Sequence, residues 1–294
     1  MLHAHDLRRG AAYMVASALL FAAMGVAVKI ASTTLPETVV VFFRSSVGLL
    51  TLLPLIVGVD LRTRHPREHL VRSLAGMASM YCFFYTLAHM RLAESVLLNY
   101  SLPLFMPVVE SVWLGEPFPR RLWTPIVVGF FGIVLILRPG SGLVEPVALV
   151  GVASALFAAV AQVGVRRLTR TEPVPRIVFY FAVTATLISA VPLPATWRTP
   201  AGPEAWWAVI ACGVAATFAQ LAMTRAYAHA PAAQVGPFIY SSVVFAGLLD
   251  WVFWRRLPDA FTVAGGLLVA GAGILSLRLN PSRAEVETPG PATV

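Results

Sequence analysis

Val15-Ala16-Ser17-Ala18-Leu19 and Val152-Ala153-Ser154-Ala155-Leu156 are the same five residues, 137 positions apart in a chain of 294. That offset also pairs Val26 with Val163, Val28 with Val165, Lys29 with Arg166 and Pro36 with Pro173. Farther along, an offset of 140 matches Ala88-His89 with Ala228-His229, Tyr100-Ser101 with Tyr240-Ser241, Glu110 with Asp250, and Leu137-Arg138 with Leu277-Arg278. Apolar segments resemble one another by chance because they use few residue types. The polar matches at fixed spacing are the informative ones, and they mark a duplication.

The duplicated unit is built for lipid. Of the chain, 58% is apolar and 12% charged, against roughly 45–50% and 25% in ordinary soluble domains. Too little charge exists to cover a water-exposed surface, which excludes a conventional soluble enzyme, a disordered chain and a disulfide scaffold. Cys82 and Cys212 both fall inside apolar runs, so no disulfide is expected. A spanning helix needs about 20 mostly apolar residues. Ten runs meet that need: 10–31, 36–57, 69–89, 94–114, 122–137, 146–165, 177–194, 205–227, 233–254 and 260–277. Breakers separate them, among them Gly115-Glu116-Pro117, Pro139-Gly140 and Pro200-Ala201-Gly202-Pro203. The first run exceeds a signal-peptide core, and the repeat needs it as a helix. The predicted architecture is all-α and integral to the membrane, with ten transmembrane helices.

Each copy holds five spans, an odd number, so the two copies enter from opposite sides and form inverted-topology repeats. Residues 1–142 make the first and 143–279 the second, and 280–294 form a Pro- and Glu-containing tail expected to be disordered. An even span total puts both termini on one side. Placing them in the cytoplasm leaves fifteen arginines inside, Arg72 among them, and five outside, as the positive-inside rule demands. The net charge of +8 is thus a topology signal, with membrane lipid and not nucleic acid as the partner. A multi-pass bacterial inner-membrane protein is expected.

Inverted duplication is the plan of secondary transporters, whose substrate sits near the midplane between the halves. Ionisable groups at depth are costly and mark function by default. Arg44, about a third of the way along the second span, can take a carboxylate with its planar fork or can anchor helices by bonding backbone carbonyls. Glu110 and Asp250, repeat mates at opposite mouths, are candidate gates that pair with nearby arginines when their side is closed, with terminal groups solvated by water as the alternative. Tyr81 and Tyr85 share one face of the third span at i, i+4. Asn99 and Tyr100 precede Pro103, whose missing N–H leaves the Asn99 carbonyl without its helical partner. Pro237 does the same for Ala233, beside Tyr240 and Ser241. Gln162, Thr217 and Gln220 add polar groups from the sixth and eighth spans. These residues form the expected cavity lining, with interhelical stitching as the alternative. The first span carries no acid from Ser17 to Met24, so a midplane proton carboxylate is not expected, and a neutral or zwitterionic cargo fits better than a cation. No nucleophile constellation or metal-ligand cluster is present, so neither an enzyme nor a cofactor is expected. Gly129, Gly132, Gly265, Gly266, Gly271 and Gly273 give the fifth and tenth spans small-residue faces that brace each half or meet another subunit of a homo-oligomer.

From Ala78 to Gly140 the chain has a small and aromatic third span, a fourth with Pro103 and Pro107, then Leu114-Gly115-Glu116 and a fifth with Gly129, Gly132 and Arg138. This order resembles the EamA-type repeat of the drug/metabolite transporter superfamily, and Arg44 fits its second span. The second copy departs from it, with Arg256 where the first has Glu116. Length and aromatic content are similar to YddG-type amino-acid exporters. The resemblance implies alternating-access export of amino acids or similar small metabolites, with amphipathic drugs as the other substrate class. It also implies a cavity enclosed by spans one to four and six to nine.

Overall fold

The structure, a computed structural model, describes residues 7–114, 121, 123–137, 146–169, 171–229 and 236–279, and contains no strand among them. The helices are α1 (Leu7–Ala31), α2 (Glu37–Leu52), α3 (Pro66–His89), α4 (Leu92–Asn99), α5 (Leu102–Leu114), α6 (Trp123–Leu137), α7 (Pro146–Leu168), α8 (Val174–Ala190), the single turn α9 (Leu193–Thr196), α10 (Gly202–His229), α11 (Ser241–Trp254) and α12 (Ala260–Leu279). By length and composition, Arg8–Ala31, Glu37–Ile56, Glu94–Trp113, Pro146–Leu168 and Gly202–His229 can each cross a bilayer, and four other apolar helices are shorter. Proline starts several of them, at Pro66, Pro146 and the Pro173–Pro175 corner, where its set φ suits a first turn and its missing N–H costs nothing.

The fourth span departs from the single helix expected over 94–114: it is α4 and α5, interrupted at Tyr100-Ser101. The chain turns there through bonds from Ser101 N–H to the Leu98 carbonyl (3.2 Å) and from Leu104 N–H to the Ser101 carbonyl (3.0 Å), consistent with a proline at 103 that cannot continue the ladder. The ninth span breaks at the matching place. A 3-10 turn, Gly236–Tyr240, hands over to α11 at Ser241. The carbonyl of Ala233, expected to be freed by Pro237, lies outside the described residues, as do Glu116, Arg138 and the tail.

Helix pairing maps onto itself when the halves are exchanged. α1 packs on α10 as α7 packs on α3; α2 on α10 as α8 on α3; α1 on α11 as α7 on α4 and α5. The remaining large contacts, α2 with α8, α4 with α11 and α6 with α12, each join a span to its mate in the other half. Individual hydrogen bonds repeat too. Ser17, in the first copy of the quoted pentapeptide, donates to the Ala219 carbonyl at 2.9 Å. Its mate Ser154 donates to the Ser79 carbonyl at 3.1 Å, and residues 79 and 219 are themselves 140 apart.

Glycines on α6 and α12 join one half to the other, where a brace within each half or a contact with a second subunit is expected. A side chain at Gly132 would meet the Gly265 carbonyl oxygen at 2.7 Å, and one at Gly266 would meet Leu97 at 3.0 Å. Where α7 turns into α8, Glu172 accepts from the Thr63 hydroxyl at 2.7 Å and from Arg176 at 2.5 Å, while Arg176 Nε also donates to the Asp60 carbonyl at 2.7 Å. Burial pushes the Glu172 carboxyl up, but the bonds from Thr63 and Arg176, with the Arg176 charge, outweigh it and hold it below its ordinary value. The stitch therefore contributes stability fully above the unfolded carboxylate value of about 4.3 and loses it as pH falls through the lower folded value. Protection of segment 57–65 against hydrogen exchange, relative to the intrinsic rate at each pH, is expected to fall over that acid range, and Glu172→Gln should show the lower protection already at pH 7.

Candidate functional site

A cavity of about 130 Å³ opens at the centre of the bundle, and its wall draws on spans one to four and six to nine, with nothing from α6 or α12. Packed glycine faces occupy those two helices instead. Of the residues expected to line a cavity, Arg44, Asn99, Tyr100, Gln162 and Gln220 are on this wall. The broken fourth span places Asn99 and Tyr100 there. Asn99 donates through Nδ2 to the Ser154 hydroxyl at 2.5 Å, which ties α4 to α7 and, through Ser154, to α3. Tyr100 is buried with its hydroxyl against Ser242. Gln162 donates to the Met223 sulfur at 3.3 Å and leaves its carbonyl oxygen buried without a partner.

Five other expected wall residues lie elsewhere, each for a local reason. Tyr85 is 38% exposed on the outer face of α3, stacked on His89 at 4.3 Å. Tyr81 is half-buried against the apolar core. Thr217 spends its hydroxyl between the carbonyls of Gly48 (3.1 Å) and Gly213 (3.0 Å), stitching α10 to α2. Tyr240 is pressed against α12, where only glycine at 273 leaves room for its hydroxyl. Ser241 donates back to the Phe238 carbonyl at 2.6 Å.

Arg72 is the residue that sequence reading misplaced. The positive-inside count places it among the cytoplasmic arginines, yet it is 3% exposed and on the cavity wall. The apolar run begins only at 69, and hydropathy blurs a span end by several residues. A usable signal existed: the offset of 140 pairs Arg72 with Cys212, which lies well inside the eighth span. Phe181 was also missed. It lies within 3.8 Å of the Arg72 guanidinium and 5.3 Å of the Arg44 guanidinium.

Both gate candidates are buried, Glu110 at 6% and Asp250 at 2% exposure. Glu110 accepts from Arg166 at 3.0 Å. At the other end Lys29 donates to the Met90 carbonyl at 2.5 Å, lies 5.5 Å from the Trp254 ring, and feels the charge of Asp250. The two acids and the two bases are repeat mates, but where Arg166 bonds Glu110 directly, Lys29 bonds the Met90 carbonyl and meets Asp250 only through its charge. Among the described residues no acid lines the cavity.

Two inverted halves around a polar central cavity are the architecture of a secondary transporter. The chain belongs to the EamA-like transporter family, whose profile matches residues 8–138 and 146–278. It is 36% identical to the pseudopaline exporter of Pseudomonas aeruginosa over 91% of this chain and 95% of that protein. It is 27% identical to the riboflavin transporter of Vibrio cholerae, over 93% and 92%, and 24% identical to the S-adenosylmethionine uptake transporter of Rickettsia felis, over 90% of each. A solved crystal structure at 20% identity superposes with a TM-score of 0.66, covering 94% of this chain and 98% of that one, a likeness of fold. The protein is a multi-pass membrane transporter of small metabolites, not an enzyme.

Proposed function

We propose that this protein exports amino acids and similar small metabolites across a bacterial inner membrane by alternating access, with both termini in the cytoplasm. The observation that carries this reading is the central cavity, walled by both halves and holding Arg44 for a carboxylate with Asn99, Gln162 and Gln220 amides to orient the rest. The 36% relative named as an exporter supports the outward direction. Residues 1–142 and 143–279 are the two moving halves. The Glu110–Arg166 pair closes one mouth, and the mate pair of Asp250 and Lys29 closes the other in the opposite state. Coupling is not assigned to a midplane carboxylate, since the first span carries no acid from Ser17 to Met24.

The test is efflux from vesicles holding the full chain, with a labelled amino-acid panel set against organic cations. Amino acids are expected to move with saturation and counterflow, and Asn99→Ala should lower the rate at least severalfold by loosening α4 from α7. Cations moving while amino acids do not would overturn the substrate assignment in favour of amphipathic drugs. Flux that never saturates would overturn the carrier mechanism.

A further inference from the structure

We infer that Arg44 and Arg72 act together as a clamp for two anionic groups, so that the cargo carries two carboxylates and not one. The inference rests on the transporter reading and deepens it.

Both guanidiniums are on the cavity wall, at 8% and 3% exposure. Nε of Arg44, and Nε and one Nη of Arg72, are buried without a hydrogen-bond partner. Among the described residues neither group is close enough to an acid for an ion pair. What they share is the ring of Phe181, at 5.3 and 3.8 Å. An aromatic face orients a cation but supplies no net negative charge. Two uncompensated cations beside one ring repel each other in a low-dielectric interior, where buried charge is ordinarily paired. An arginine serving only as a helix anchor would spend its fork on backbone carbonyls, and among the described residues neither of these does so. Guanidinium nitrogens without partners, on two arginines of the cavity wall, match carboxylate oxygens through a rigid planar fork.

The site is built by its neighbours. Gly164 makes room for the Arg72 stem, since a Cβ there would come within 3.0 Å of it, and Gly76 makes room for the Phe181 ring, at 2.9 Å. Symmetry sharpens the point. At the offsets of the repeat, Arg44 corresponds to Phe181 and Arg72 to Cys212. Four equivalent positions thus hold two cations from the first half, and a ring and a thiol from the second. The scaffold is symmetric while the charge is not, as expected where an asymmetric cargo is gripped at one end. Elsewhere on the wall the unpartnered Gln162 carbonyl oxygen can accept from an ammonium. The matching cargo has two carboxylates and an amino group.

The experiment is equilibrium binding to the purified full chain in lipid nanodiscs, with L-glutamate, succinate, L-leucine, glycerol phosphate and tetraphenylphosphonium as probes. Glutamate is expected to bind at least tenfold tighter than leucine, with succinate between them. Arg44→Gln, which removes the group that takes the carboxylate common to both, should weaken glutamate and leucine alike, whereas Arg72→Gln should weaken glutamate at least tenfold more than it weakens leucine. Should glutamine at 72 prevent folding, Arg72→Lys, which keeps the charge and loses the fork, is expected to reduce the preference severalfold. Equal binding of glutamate and leucine by the wild type overturns the clamp. So does preference for glycerol phosphate over both dicarboxylates, or a glutamate affinity indifferent to the folded arginine variants. Saturable flux of leucine without dicarboxylate preference would sink the clamp and leave the transporter reading intact. Absence of saturable flux for every solute would sink that reading instead.

Discussion

Replacing Glu110 with alanine is expected to cost the folded protein about 3 kcal/mol, the low end of what removing one partner of a buried ion pair costs. Glu110 and Arg166 meet at 3.0 Å with side chains only 8% and 17% exposed. Without the carboxylate the guanidinium faces an apolar bundle, with the Tyr227 ring at 5.9 Å as its remaining neighbour and its Nε buried without a bond. The residual exposure of Arg166 lets it turn partly toward water, which is why the low end applies. Removing both charges, as Glu110→Ala with Arg166→Met, should recover most of the loss, because a well-packed apolar pair replaces a buried ionic one at little cost. Thermal unfolding of the two single variants and the double closes the cycle. The double variant also reads the gate. With Cys82 and Cys212 replaced and a cysteine placed at Gln162, labelling from the Glu110 side should rise several-fold once the latch is gone. Independent, additive losses and unchanged labelling would show that the two residues neither pair nor gate.

Gly132→Val is the second large effect. The added Cβ would stand 2.7 Å from the Gly265 carbonyl oxygen and 2.9 Å from both Leu268 Cβ and Val269 Cγ2. The first of these is backbone and cannot rotate aside, so α6 and α12 must separate along their length. Overpacking of this kind costs about 1–3 kcal/mol and sometimes more, and in lipid no hydrophobic force draws the helices back, because association rests on close packing. A loss of folded yield and a lowered unfolding temperature are expected. Gly271→Ala is the control: nothing lies within 4 Å of that position, so it should be neutral or slightly stabilising through helix propensity. Surviving Gly132→Val protein should transport normally, since α6 contributes nothing to the cavity wall. An unfolding temperature equal to the wild type would mean that the two helices do not meet at Gly132.

The duplication was legible because polar residues punctuate it. Ser17 and Ser154 announce in the sequence the two hydrogen bonds they make in the structure, and Glu110, whose mate is Asp250, bonds Arg166, whose mate is Lys29. Asn99 and Tyr100 were found through the proline that follows them. Tyr85 was lost for the opposite reason. An i, i+4 pair identifies a shared face without saying whether it looks inward, and on α3 His89 stacks that ring on the outside.

From the linear chain alone came the solvent of the protein, the number of spans, the inversion of the halves and the pairing of mates, since hydropathy, parity and repeat spacing need no coordinates. The rotation and depth of each helix came only with the assembled bundle. A lipid-facing side and a buried side are both apolar, so composition does not distinguish them. Contacts such as glycine against Arg72 and glycine against Phe181 decide which way a helix turns. They brought to the central cavity a guanidinium that hydropathy had left in water.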